Sequence, residues 1–441
     1  MRRLRVVTLI AVVLSMVAAA CGDDDDSAAT TAAPATTAAP ATTAASATTA
    51  ASATTAASAT TAAPATTAAP TGCDESNPMI AGSSLTLSGP AGDIGARAEE
   101  GVHMAVEDIN AAGGILGRCL EVLIRDDTGD PTKGQQVARE FIDQEEVSFM
   151  VGPFLSSVIG AAIEISNPVG TLHIVNGVLP TAGDATVFPY VFRTEVVSFL
   201  QSATFVQQAQ AMGATTAVVL AVNNALGTSV LDAIKADLEG TGIEILAEEF
   251  HESGAVDLGP QMRSLMDHNP DVLFQLNTAG PDVTAAIKAR NQLDWDVPFL
   301  GFSSNANTSI TDSFTPDEMA NILGGQAYGR LNRPAGSDEP AGEAAQWFKD
   351  RYKEHRGEDP LTVNIQQASG LYDSFMLMAD AINAVGSVDS DAVKAYLEAN
   401  VYDGVKATYE YSAERHDGVG LDDLVFVIAH SFIDGTSEIA G

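Results

Sequence analysis

From Met79 onward, short runs of Val, Ile, Leu and Phe alternate with stretches whose apolar positions recur every three or four residues. The first pattern is that of a buried strand, the second that of a helix with one wet face. Strands are expected over 79–87, 119–125, 147–151 and 171–175, and in a second series over 215–222, 242–250, 272–276 and 297–301. A helical stretch lies between each neighbouring pair, which is the layout of parallel strands joined by crossover helices. The expected fold class is therefore α/β, with two doubly wound parallel-sheet lobes of ordinary domain size.

The first helical stretch shows the period clearly. Ala98, Val102, Ala105, Val106 and Ile109 fall on one face, and Glu99, Glu100, His103, Glu107 and Asn110 on the other. His103 and Glu107 stand four apart, but no third metal ligand accompanies them, so they are read as solvated surface and no metal is expected. The turn before this helix carries Gly89, Gly92 and Gly95. Their spacing does not match GxGxxG, and no GxxxxGK[ST] occurs, so neither a dinucleotide nor a triphosphate cradle is present and no cofactor is expected. "DDTGDPTKG" lacks calcium-loop spacing; Asp130 is expected to cap a helix that begins with Pro131.

"GPFLSS" places Ser156, followed by Ser157, just past the strand 147–151. Open α/β sheets bind ligands at the carboxyl ends of their strands, and a serine at a helix start suits a carboxylate or carbonyl oxygen. The ordinary alternative is a helix cap. The stretch is not the GxSxG of a nucleophile elbow, and His173 and the other histidines form no triad pattern, so an enzyme is not expected.

Ahead of this body, Arg2, Arg3 and Arg5 precede an apolar run to Ala20, the layout of a secretory signal over 1–20. No later segment offers enough consecutive apolar residues to span a bilayer. Residues 21–72 contain seven "TTAAP" or "TTAAS" units ending at Pro70, with no large apolar side chain to bury, so they read as a disordered stalk. Fully extended, it would reach roughly 140 Å. The chain of 441 residues carries 58 Asp and Glu against 22 Lys and Arg, for a formal charge of −36. Nucleic-acid binding needs a basic cluster, and none exists.

Ala18, Ala19 and Ala20 before Cys21 resemble a bacterial lipobox, although Ala18 stands where Leu is usual. The resemblance implies cleavage before Cys21 and its lipidation, so that only this anchor touches the membrane. Cys73 and Cys119 then remain as one pair in an oxidising compartment, either a disulfide or two buried thiols.

"LTLSGPAGDIGARAEEGVHMAVEDINAAGGILGRCLEVLIRDDTGDPTKG", "VGPFLSS" and "YVFRT" together resemble the type 1 periplasmic solute-binding proteins of ABC importers, the leucine/isoleucine/valine-binding group. The resemblance runs from Met79 to about the C-terminus. It implies two lobes joined by three crossovers that close on a small ligand, a monomer on the outer face of the cell membrane, and delivery to ABC permease subunits. Lobe 1 would comprise 73–194 and 326–408, and lobe 2 would comprise 195–325 and 409–441. It also places Cys73 and Cys119 at neighbouring strand starts, which favours their bridge.

Carried over position by position, the family's carboxylate serine falls on Ser156 and its backbone amide on Gly177. A threonine that touches both ends of an amino acid is replaced by Leu179, and the acid that pairs with the ammonium falls near Ser303. Three aromatic positions become Ile94, Leu226 and Thr278. Without the acid a buried ammonium lacks a partner, at a cost of several kcal/mol. A less polar carboxylate, an amide or a similar neutral solute is expected instead, with Phe302, Asn223, Asn224, Asn277 and Asn305 as further candidates around it. The rival readings are a sensory module acting through a partner receptor and an extracellular hydrolase using Ser156.

Overall fold

The structure, a computed structural model, describes residues 72–277, 280–306, 308–332, 340–357, 362–431 and 438–440. The expected signal, the stalk with Cys21, and Thr278 lie outside the described residues. The first sheet is built from β1 (Asp74–Leu85), β2 (Arg118–Asp126), β3 (Met150–Val151), β4 (His173–Val175) and β5 (Val191–Arg193). These strands are parallel, in the order β2-β1-β3-β4-β5.

A second sheet follows from β6 (Thr216–Val222), β7 (Glu244–His251), β8 (Val272–Leu276), β9 (Phe299–Phe302) and β10 (Ile322–Tyr328). The chain then forms a small hairpin, β11 (Val401–Asp403) with β12 (Thr408–Glu410), before β13 (Leu424–Ile428) joins the second sheet antiparallel to β10. The order β13-β10-β9-β8-β6-β7 repeats the winding of the first sheet. Each lobe therefore has a switch point beside its first strand, where crevices form at the carboxyl ends.

All eight expected strands are found, with β3 and β4 shorter than expected. Those that escaped the pattern have local reasons. Strand β5 is only three residues long, and Gly324 and Gly325 interrupt the apolar run of β10.

The chain passes between lobes three times, at places that differ from the expected boundaries. The second passage follows Tyr328, because β10 stays in the second sheet to that residue. The third lies between Val419 and Leu424, because Tyr409, Tyr411 and Val419 pack into the first lobe's core. Two buried hydroxyls fix them there: Tyr409 donates to Asp373 at 2.8 Å and Tyr411 to the Arg193 carbonyl at 3.2 Å. A buried hydroxyl without such partners costs free energy.

Helix Gly92–Ala111 buries Ala98, Val102, Ala105 and Ile109 and leaves His103 exposed, the faces its period predicts. Its inner face lies against helix Thr362–Val385, which brings distant sequence into the first lobe. Asp130 accepts from the Lys133 amide at 2.9 Å, capping helix Pro131–Asp143 as expected. Asp127, fully buried, accepts from Ser84 at 3.0 Å and Thr86 at 2.6 Å, which ties the end of β1 to that of β2. At the other end, Cys73 and Cys119 are joined with Cα atoms 4.8 Å apart, beside the Asp74 and Arg118 pair that opens the β1–β2 ladder.

The closest helix approach is at Gly101, where an added Cβ would lie 2.0 Å from the Ala368 carbonyl oxygen. Backbone cannot rotate aside as a side chain can, so Gly101→Ala should destabilise the fold by about 1–3 kcal/mol. A shift in the denaturant midpoint checks this; an unchanged midpoint contradicts the packing.

Candidate functional site

A cavity of about 200 Å³ lies between the lobes. Its lining comes from strand ends and the turns after them: Ile94 after β1, Phe154 after β3, Asn176, Gly177 and Val178 after β4, and Glu195 and Val196 after β5. The second lobe adds Ser303 after β9, Tyr328 closes β10, and Gln366 and Gln367 enter from helix Thr362–Val385. The strands' carboxyl ends converge here, as the winding requires.

Of the residues anticipated from sequence, Ile94, Gly177 and Ser303 meet in this cavity. Gly177 is tightly held, since a Cβ there would meet the Phe154 carbonyl oxygen at 2.2 Å. Ser156 is the first residue of helix Ser156–Ser166 and is half-buried, and Ser157 is exposed; neither lines the cavity. Leu179 packs against a small cluster with Ile159 and Val191, and Leu226 against the second lobe's core. Phe302 lies in that core as well.

The asparagine candidates have structural work instead. Asn224 caps helix Ala225–Asp237, and Asn223 donates to Glu252 at 2.8 Å. Asn277 lies 3.3 Å from His251 Nε2, and Asn305 donates to the Leu323 carbonyl at 3.0 Å.

Sequence reading missed the polar heart of the site. Glu195 sits in the first passage, and its Oε2 accepts from Lys406 Nζ at 2.7 Å. Its Oε1 accepts from the Val196 amide at 2.9 Å and from the Tyr328 hydroxyl. Lys406 is fully buried and stands 4.3 Å from the Tyr328 ring centroid. One ion pair thus joins the first passage, the second at Tyr328, and the β11–β12 turn that leads into the third. Its surroundings are balanced too, since Arg193 pairs with Asp417 at 3.2 Å. Asp373, pushed up to about 6 by burial, accepts from the amides of Val405 and Lys406 and from Tyr409.

Position alone could have flagged Asn176 and Glu195, each one or two residues beyond an expected strand or strand-like run. Gln366 and Gln367 carry no sequence signal, because only the fold brings their helix to the cleft.

A family model described as periplasmic binding protein matches residues 80–427. The chain belongs to this family. It is 25% identical over 322 residues to the leucine-, isoleucine-, valine-, threonine-, and alanine-binding protein of Pseudomonas aeruginosa, covering 72% of this chain and 81% of that one. An ABC transporter substrate-binding protein from Sphaerobacter thermophilus has the same fold, with TM-score 0.70 and 23% identity over 83% of this chain and 97% of that one. A branched-chain amino acid transporter substrate-binding protein from Streptococcus pneumoniae, solved with isoleucine, gives TM-score 0.65 and 21% identity over 82% and 99% of the two chains. Among the described residues of this family member, no helix is long and apolar enough to cross a membrane.

His173, near the cleft strand, is fully buried and engaged on both ring nitrogens. The Gly152 carbonyl can only accept, so Nε2 carries the proton and Nδ1 accepts from the Ser166 hydroxyl at 2.8 Å. Burial lowers its pKa from 6.5 to about 4. Between those values the folded state binds fewer protons than the unfolded, so this stability is complete above pH 6.5 and is lost as pH falls toward 4. The gap corresponds to about 3 kcal/mol. Asp373, raised from 3.8 to about 6, acts in the opposite sense over its own window. The difference in unfolding free energy between wild type and His173→Gln should therefore grow with pH across the histidine window; a flat difference contradicts the assignment.

Lys406→Met leaves the Glu195 carboxylate buried without its cation, at a cost of about 3–5 kcal/mol. Thermal or denaturant unfolding checks this, and a near-neutral result shows that the pair does not tie the passages.

Proposed function

We propose that the protein is the solute-binding component of an ABC importer, closing its two lobes on a small organic molecule and presenting the closed form to permease subunits. The observation that carries this reading is the inter-lobe cavity, lined from both lobes at strand ends and bordered by the three passages. Closure buries the solute from water and creates a joint surface that neither lobe offers alone. The relatives' names, which refer to amino-acid binding and ABC transport, agree with it.

In this reading the protein is not an enzyme, because the cavity offers no serine with a histidine beside it. Ser156, at its helix start, and the backbone at Gly177 are the proposed contacts for a solute oxygen, engaged as the lobes close. The signal, the lipidated Cys21 and the stalk hold the body outside the cell membrane as a monomer, where the Cys73–Cys119 bridge is stable. The alternation of roles to a sensory module would need a partner receptor, and no observation favours it.

A ligand bound only by the folded state raises stability by about 2.7 kcal/mol at a hundredfold excess over Kd. The chain purified natively and then denatured should release a small molecule detectable by mass spectrometry, and readdition of that molecule should raise the melting temperature. Absence of any released molecule, together with no melting shift across amino acids, amides and organic acids, contradicts solute binding.

A further inference from the structure

We infer that the solute carries no net charge and no ammonium group, and that it is held by a carboxamide or urea function. This rests on the solute-binding reading above and narrows it to a chemical class.

The charge argument comes first. Glu195 is the only charged side chain among the described residues lining the cavity, and Lys406 already neutralises it. Lys406 does not line the cavity, so no free cation awaits a carboxylate. An ammonium would add a second positive charge beside a carboxylate already held by Lys406, the Val196 amide and the Tyr328 hydroxyl. Both halves of a zwitterion thus lack an unshared partner, and a buried charge without one is costly.

Three side chains in the lining each keep a buried polar atom without a partner: Asn176 Oδ1, Gln366 Nε2 and Gln367 Oε1. Asn176 is 1% exposed and Gln366 8%. The orientation of Asn176 follows from a relay of hydroxyls behind it. Ser374 donates its one proton to the Gly370 carbonyl at 2.7 Å, so it must accept from Thr194 at 2.7 Å. Thr194, having donated, must accept from Asn176 Nδ2 at 3.1 Å. Asn176 is thereby fixed with its oxygen as the unpaired atom. An acceptor at Asn176, a second at Gln367 and a donor at Gln366 form the complement of an N–H-bearing carbonyl compound. A carboxylate of the same shape would set oxygen against oxygen, and leaving these groups unpaired rejects it.

The test uses the full mature chain, freed of co-purified solute by unfolding and refolding, and calorimetry with three probes that share one branched hydrocarbon: isovaleramide, isovalerate and leucine. Isovaleramide should bind at least about tenfold more tightly than the other two, and N,N-dimethylisovaleramide, without N–H donors, should lose a similar factor. Asn176→Ala should weaken isovaleramide by about tenfold. Gln366→Glu, nearly isosteric and so spared a folding defect, should do the same by replacing the donor with an acceptor. Equal or tighter binding of leucine or isovalerate overturns the inference and leaves solute binding intact. If none of the probes binds, the molecule released from natively purified protein decides: a neutral amide or urea supports the inference, and a charged or zwitterionic one overturns it. No binding and no released molecule overturns solute binding itself.

Discussion

The buried contact of Lys406 with Glu195 is the constraint on which the rest of the structure depends. A fully buried ammonium is tolerable only when paired, and here its partner lies on a different passage of the chain, with Tyr328 of yet another against both. The three segments that run between the lobes cannot drift apart without stranding a charge. The lobes can then move about this point while it stays fixed, which is what a hinge requires.

The same contact shapes the cleft. It spends the one carboxylate that faces the cavity, so the interior is polar without being charged. Around it the duplicated winding order brings the carboxyl ends of two sheets face to face, and the side chains that matter are those just past strand ends. Neutral amides fill those places, with a hydroxyl relay through Thr194 and Ser374 fixing which atom of Asn176 is unpaired. Hinge and pocket are therefore one polar network seen from two sides.

Much of this architecture could be read from the pattern of residues. Alternating strand-like and helical periods gave both sheets, and the faces of helix Gly92–Ala111 and the Asp130 cap follow from local rules. The passage boundaries were less legible, because Tyr409 and Tyr411 look like strand residues of either lobe until their hydroxyl partners, Asp373 and Arg193, are known. In the site, Ile94, Gly177 and Ser303 were reachable as positions after strands, whereas Leu179 and Leu226 proved to pack into cores. The Glu195–Lys406 contact spans 211 residues of sequence, and Gln366 and Gln367 reach the cleft through a helix whose register only tertiary packing sets. Long-range pairing of this kind leaves no local periodicity to read.

The most direct test of hinged closure is the distance between spin labels at Ser157→Cys and Ser229→Cys, exposed positions on the first and second lobes. Pulsed electron spin resonance should show a shorter and narrower distribution when the natively released solute is returned to the stripped chain. An identical distribution with and without saturating solute would mean that the lobes do not close on their ligand.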